Sequence, residues 1–142
     1  MARRGLVILL LEDEENDVIL VRRAAAKVDV GHRILAVNNG EAAIRYLEGA
    51  ERDWDQFRAP DLILTDLKMP VMNGLEFLRW RREKTRWRLV PTIVLSGSGL
   101  ESDIREAYSL GATSYFTKPN DPVELAQVLR TIFDYWTTAE HA

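Results

Sequence analysis

Residues 60–74 read PDLILTDLKMPVMNG, and this stretch decides the fold. Leu62, Ile63, Leu64 and Thr65 form a short apolar run, too brief for a helix and bounded by Pro60 and Asp66. Such a run predicts a strand buried on both faces of a sheet. Asp66 then stands at the strand's carboxyl end, Pro70 and Gly74 turn the chain, and a helix is expected from about Leu75 to Lys84.

The same unit recurs on both sides. Leu6–Leu11 is another continuous apolar run, ending in Glu12-Asp13 and followed from Asn16 by helical spacing, with Val18, Val21, Ala25 and Val28 near one face. Gly31 breaks the chain before a second strand, Ile34–Val37, and a helix is expected over Glu41–Leu47. Residues 49–60 (GAERDWDQFRAP) read as an exposed loop. After Pro91 come a fourth strand, Thr92–Leu95, the Ser-Gly-Ser-Gly turn at 96–99, and a helix from Glu101 to Leu110 closed by Gly111. Thr113–Thr117 supplies a fifth strand, Lys118-Pro119 a turn, and Pro122–Trp136 the last helix. Strands and helices alternating at roughly 25-residue spacing predict right-handed crossovers and a parallel sheet covered on both faces. The expected fold is a doubly wound α/β domain with five parallel strands. It occupies residues 1–142 with a core from about 6 to 136, and no output domain is expected.

Composition narrows the class of function. Hydrophobic residues make up 46% and charged residues 29% of the 142, the mixture of an ordinary globular domain. There is no cysteine, which excludes disulfides, thiolate nucleophiles and thiolate metal sites. The formal charge of −3 offers no global attraction to nucleic acid or anionic membrane. The basic start MARR precedes a run that stops at Glu12, shorter than a membrane span and without a small-residue cleavage site. A cytoplasmic protein, bound neither to membrane nor to nucleic acid, is expected. The interleaved stretch Arg79, Trp80, Arg81, Arg82, Lys84, Arg86, Trp87, Arg88 can in principle bind phosphates and stack bases. A solvated helix face whose arginine stems cover apolar surface accounts for it better.

In parallel α/β sheets the ligand site lies beyond the carboxyl ends of the strands. There the sequence sets Glu12-Asp13, Asp66, Ser96 and Lys118 on one edge. Crowded carboxylates repel, and hard oxygen ligands with open positions suit Mg²⁺. One carboxylate can then act as a nucleophile toward phosphorus, with the Lys118 ammonium and Ser96 hydroxyl holding the phosphoryl oxygens. Asp66 is the best placed, capping the central strand between the acid pair and the Ser/Lys pair. Any one of these acids taken alone is explained as a helix cap; the convergence of five groups is not.

Through LLLEDEEND, PDLILTDLKMPVMNG, PTIVLSGSG and GATSYFTKP, the chain resembles the response-regulator receiver family from about Leu6 to Trp136. The resemblance implies a flavodoxin-like receiver fold and a non-enzymatic switch that takes a phosphoryl group from a histidine kinase on Asp66. It implies Mg²⁺ held by Asp13 and Asp66, by Glu12 through water, and by the backbone carbonyl of Lys68. Ser96 becomes the switch hydroxyl, Lys118 the phosphate-binding amine and Tyr115 the aromatic switch residue, with a cis Lys118-Pro119 bond. Ser96 stands where Thr is frequent, and Asn120 where an apolar residue is common. The Lys68 side chain is placed to alter the lifetime of the phosphorylated state.

The last helix carries Leu125, Leu129, Ile132, Phe133 and Trp136 on one stripe, a core-facing pattern. Tyr135 and Trp136, near its end, are candidate contacts with a second subunit. The ending TIFDYW and the 49–60 segment resemble receivers paired with phytochrome-type histidine kinases, which implies a homodimer in such a pathway. Alternatives are a motility or phosphorelay receiver, a phosphorylation-independent interaction domain, and a phosphatase working through an aspartyl-phosphate. The phosphatase typically carries DxD at its nucleophile, whereas here Lys68 follows two residues after Asp66.

Overall fold

The computed structural model of the chain describes residues 5–27, 31–53 and 56–139. Five strands alternate with five helices: β1 (Val7–Leu11), α1 (Glu15–Ala26), β2 (Arg33–Val37), α2 (Gly40–Arg52), β3 (Leu62–Thr65), α3 (Gly74–Arg82), β4 (Thr92–Ser96), α4 (Glu101–Ser109), β5 (Ser114–Thr117) and α5 (Pro122–Thr138). The strands form one parallel sheet in the order β2-β1-β3-β4-β5. The doubly wound, receiver-type architecture is as expected.

Strand periodicity builds the two core layers. Alternate residues face opposite sides of a sheet. Accordingly Ile8, Leu10, Leu62, Leu64, Ile93 and Leu95 pack under α1 and α5, meeting Val21, Ala25, Leu129 and Phe133. Leu9, Leu11 and Ile63 point the other way, against Ala43 and Leu47 of α2 and Phe77 of α3. Val94 joins Leu78 of α3 and Ala107 of α4 on that second side. Burial on both faces explains why the strands read as unbroken apolar runs.

Register fixes where the strands end. Leu11 pairs with both Val37 and Thr65, Thr65 with Val94, and Ser96 with Thr117. The residues after Leu11, after Thr65 and after Thr117 therefore emerge on one edge, together with Ser96 itself.

Local details depart from expectation in places. Helix α2 continues through Gly49–Arg52, so the first part of the expected 49–60 loop is helical. Phe57 packs closely on Gly49 within this helix: a Cβ on Gly49 would lie 3.1 Å from the Phe57 ring. Phe57 also meets Tyr46 edge-on at 5.5 Å. Helix α3 stops at Arg82, two residues short of Lys84. Gly111 closes α4 at φ +98°, the left-handed conformation expected of a C-terminal glycine. There is no cis peptide bond among the described residues, so Lys118-Pro119 is trans, the form that an X-Pro bond still favours. Val28 and the basic start lie outside the described residues.

Candidate functional site

Three helices take their N-terminal caps from residues that play no part at the strand edge. Asn39 accepts from Ala42 N, Asn73 forms a capping box with Glu76, and Asp121 accepts from Val123 N. Helices α1 and α4 have no side-chain cap at all. The acids at the ends of β1 and β3 are thus not consumed as helix caps, and capping does not explain them.

Those acids gather instead. Carboxylate oxygens of Glu12, Asp13 and Asp66 lie within 4.8 Å of one another. Glu12 and Asp66 are 6% and 9% exposed, while Asp13 is open to solvent. Asp66 Oδ1 accepts from Leu67 N at 2.6 Å, and Glu12 Oε2 from Glu14 N at 3.0 Å. Asp13 and Asp66 border an open cleft of about 440 Å³ that Asp17, Lys68, Gly97, Ser98 and Lys118 also help to line. Three carboxylates this close repel one another, and the single Lys118 ammonium among them only partly offsets their charge, so these hard oxygen donors suit a small divalent cation.

Lys118 reaches in from the end of β5. Its Nζ donates to Asp17 Oδ2 at 2.8 Å and Glu12 Oε1 at 2.9 Å, and approaches Asp66 Oδ2 at 3.5 Å. Burial alone would lower its pKa, but the bonds to Asp17 and Glu12 and the charge of Asp66 outweigh that and raise it, so the amine stays charged. Glu12 is pushed above the ordinary carboxylate value by burial, which its bond to Lys118 only partly offsets.

Ser96 ends β4 with no exposure, its Oγ accepting from Ser98 N at 3.2 Å beneath the cleft floor. Its hydroxyl is at the edge, as expected, but the cleft surface above it is made by Gly97 and Ser98. Tyr115 on β5 is half-buried and donates its hydroxyl to Ser98 O at 2.7 Å. Burial raises the Tyr115 pKa, keeping the hydroxyl a donor. Ser98 Oγ donates to Asp103 Oδ2 at 2.5 Å, and the largely exposed Lys68 ammonium sits 4.0 Å from the same oxygen.

The turn that presents Asp66 is tightly built. Met72 N bonds back to Pro70 O at 2.9 Å, closing a γ-turn around Val71 at φ +69°, a conformation costly for a β-branched residue. Gly74 N bonds to Leu67 O at 3.0 Å, pressing the start of α3 onto the segment that follows Asp66.

The structure therefore brings Glu12, Asp13, Asp66 and Lys118 together, with Ser96 and Tyr115 beside them and Lys68 on the rim. Sequence reasoning missed Asp17, Ser98 and Asp103. Asp17 carried a usable signal, since side chains in a first helical turn lean back toward the preceding strand end. The basic stretch divides: Arg81 and Trp87 are buried, whereas Arg79, Arg82, Lys84, Arg86 and Arg88 are exposed. Tyr135 is 61% exposed and Trp136 half-buried. No helix among the described residues is long and apolar enough to cross a membrane.

Comparison with known proteins places the fold in a family. The model of the response regulator receiver domain matches residues 8–130. A probable methanogenesis regulatory protein, FilR2 of Methanothrix harundinacea, is 34% identical over 92% of this chain and 83% of its own length. The phosphorylated cyanobacterial phytochrome response regulator RcpA superposes with a TM-score of 0.89 at 33% identity, covering 96% of this chain and 98% of that one. The Mn²⁺-bound form of response regulator Rcp1, a protein of Synechocystis, superposes at 0.88 with 28% identity, over 97% and 99% of the two chains. The chain belongs to the response-regulator receiver family of two-component systems.

Proposed function

We propose that the chain is switched by phosphorylation of Asp66, with a histidine kinase as donor. The observation that carries this reading is the pairing of a three-carboxylate cluster with the Lys118 ammonium around one partly accessible aspartate. An Asp66 carboxylate oxygen attacks the phosphorus of a phosphohistidine. The O–P bond forms, the P–N bond breaks, and its electron pair stays on the imidazole, which is protonated as it leaves. Lys118 and Ser96 hold phosphoryl oxygens, and the Tyr115 ring follows Ser96. Asp13, Asp66, Glu12 and the Lys68 carbonyl would hold Mg²⁺, which would supply charge neutralisation when bound. A divalent ion in the neighbour Rcp1 supports that choice.

The chain acts in the cytoplasm as a non-enzymatic switch. The likeness to RcpA, a cyanobacterial phytochrome response regulator, supports a phytochrome-type kinase as the donor. Homodimerisation is the proposed output, through Tyr135 and Trp136 on α5. These two rings meet edge-on at 4.8 Å beside a groove of about 370 Å³ that also includes Ile93, Phe116 and Ile132. Phosphotransfer from a panel of phytochrome-type and other histidine kinases tests the circuit. Preferential Mg²⁺-dependent labelling by the phytochrome type is expected, and labelling by none contradicts it. Sedimentation of wild type against Tyr135→Ala/Trp136→Ala tests the dimer: a wild-type monomer at every concentration contradicts it.

A further inference from the structure

Lys118 is held by more carboxylate than phosphate binding requires. An ammonium has three N–H donors. Two are committed to Asp17 and Glu12 at 2.8 and 2.9 Å, and the approach to Asp66 is the longest of the three at 3.5 Å. The amine is therefore displaced from Asp66 toward α1.

The two close partners are not equivalent. Glu12 belongs to the carboxylate trio that can hold a metal, so a bound cation weakens its claim on Lys118. Asp17 lies outside that trio, and its claim remains. Its side chain is 24% exposed and that of Lys118 13%, sheltered enough for the pair to resist solvent screening. A contact made fully in one state and weakened in the other biases the equilibrium by the difference.

We propose that Asp17 is a positioning residue that anchors Lys118 away from Asp66 in the unphosphorylated chain, so that it opposes phosphoryl binding there. The inference rests on the reading of Asp66 as phosphoacceptor. The Asp17–Lys118 pair must loosen before the ammonium can close on a phosphoryl oxygen, and α1 thereby feels the state of Asp66.

The test is binding of beryllium fluoride, a phosphoryl mimic, at saturating Mg²⁺, followed by the bound ¹⁹F resonances. Asp17→Asn is expected to bind about fivefold tighter than wild type, the worth of one partly sheltered ion pair. Asp17→Glu, which keeps the charge, should restore affinity toward wild type. In a Lys118→Met background the Asp17→Asn change should have no effect, because Asp17 acts through the amine. Unchanged or weaker binding in Asp17→Asn, or tightening that persists without Lys118, overturns the proposal while leaving Asp66 as acceptor. Failure of the wild type to bind the mimic overturns both.

Discussion

Gly74 stands so close to Asp66 that a Cβ on Gly74 would lie 2.1 Å from the Asp66 backbone oxygen. Neither backbone can yield cheaply, because Gly74 N is bonded to Leu67 O and Asp66 N to Leu11 O. The glycine is what lets α3 start directly against the segment that follows Asp66. Gly74→Ala is expected to destabilise the fold by about 3 kcal/mol, lowering the thermal midpoint by about 10 °C. Calorimetry checks this, and a loss well under about 1 kcal/mol contradicts the packing described.

Val71 predicts the opposite sign. Its φ of +69° is strained for a β-branched side chain, and the residue is largely exposed, so little packing is lost on truncation. Val71→Gly should stabilise the chain by about 1 kcal/mol, strain relief outweighing the added freedom of the unfolded glycine. Denaturant unfolding measures it, and a destabilised variant contradicts the γ-turn.

Arg81 shows what the basic stretch does inside the fold. Its guanidinium donates to Gly111 O at 3.2 Å, Arg88 O at 2.9 Å and Val90 O at 2.6 Å, tying α3 to the segment before β4 and to the α4–β5 turn. Burial lowers its pKa to about 10, which leaves it charged at neutral pH. Arg81→Met should cost about 3 kcal/mol by stranding these carbonyls. Arg81→Lys should recover less than half, since one ammonium cannot reproduce the planar fork. Full recovery by Lys in urea unfolding contradicts the role of the fork.

Tyr115 holds the loop above Ser96 through its bond to Ser98 O. Removing the hydroxyl in Tyr115→Phe should cost about 1 kcal/mol and speed hydrogen exchange at residues 98–100. Unaltered exchange there would mean that the loop is held without the tyrosine.

The parts of this site legible in the sequence are those that terminate apolar strands. Glu12-Asp13, Asp66, Ser96 and Lys118 each follow or end a short hydrophobic run, and a parallel sheet carries all such ends to one edge. Asp17 was not legible in that way because its role depends on how far Lys118 reaches and on the tilt of α1. Helix α2 runs on past Gly49, where Phe57 packs against it, a contact that the local sequence pattern does not carry. Trp87 is 1% exposed although cations flank it, because Arg86 lies over its ring while the indole packs inward. A stretch that reads as a solvated face of interleaved cations and aromatics thus contains two core residues, Arg81 and Trp87.

Intact-mass measurement after incubation with acetyl phosphate and Mg²⁺ decides whether Asp66 accepts a phosphoryl group. The wild type is expected to gain one phosphoryl group, to gain none when Mg²⁺ is chelated beforehand, and Asp66→Asn to gain none. Undiminished labelling of Asp66→Asn, or an unmodified wild type, would contradict Asp66 as the acceptor.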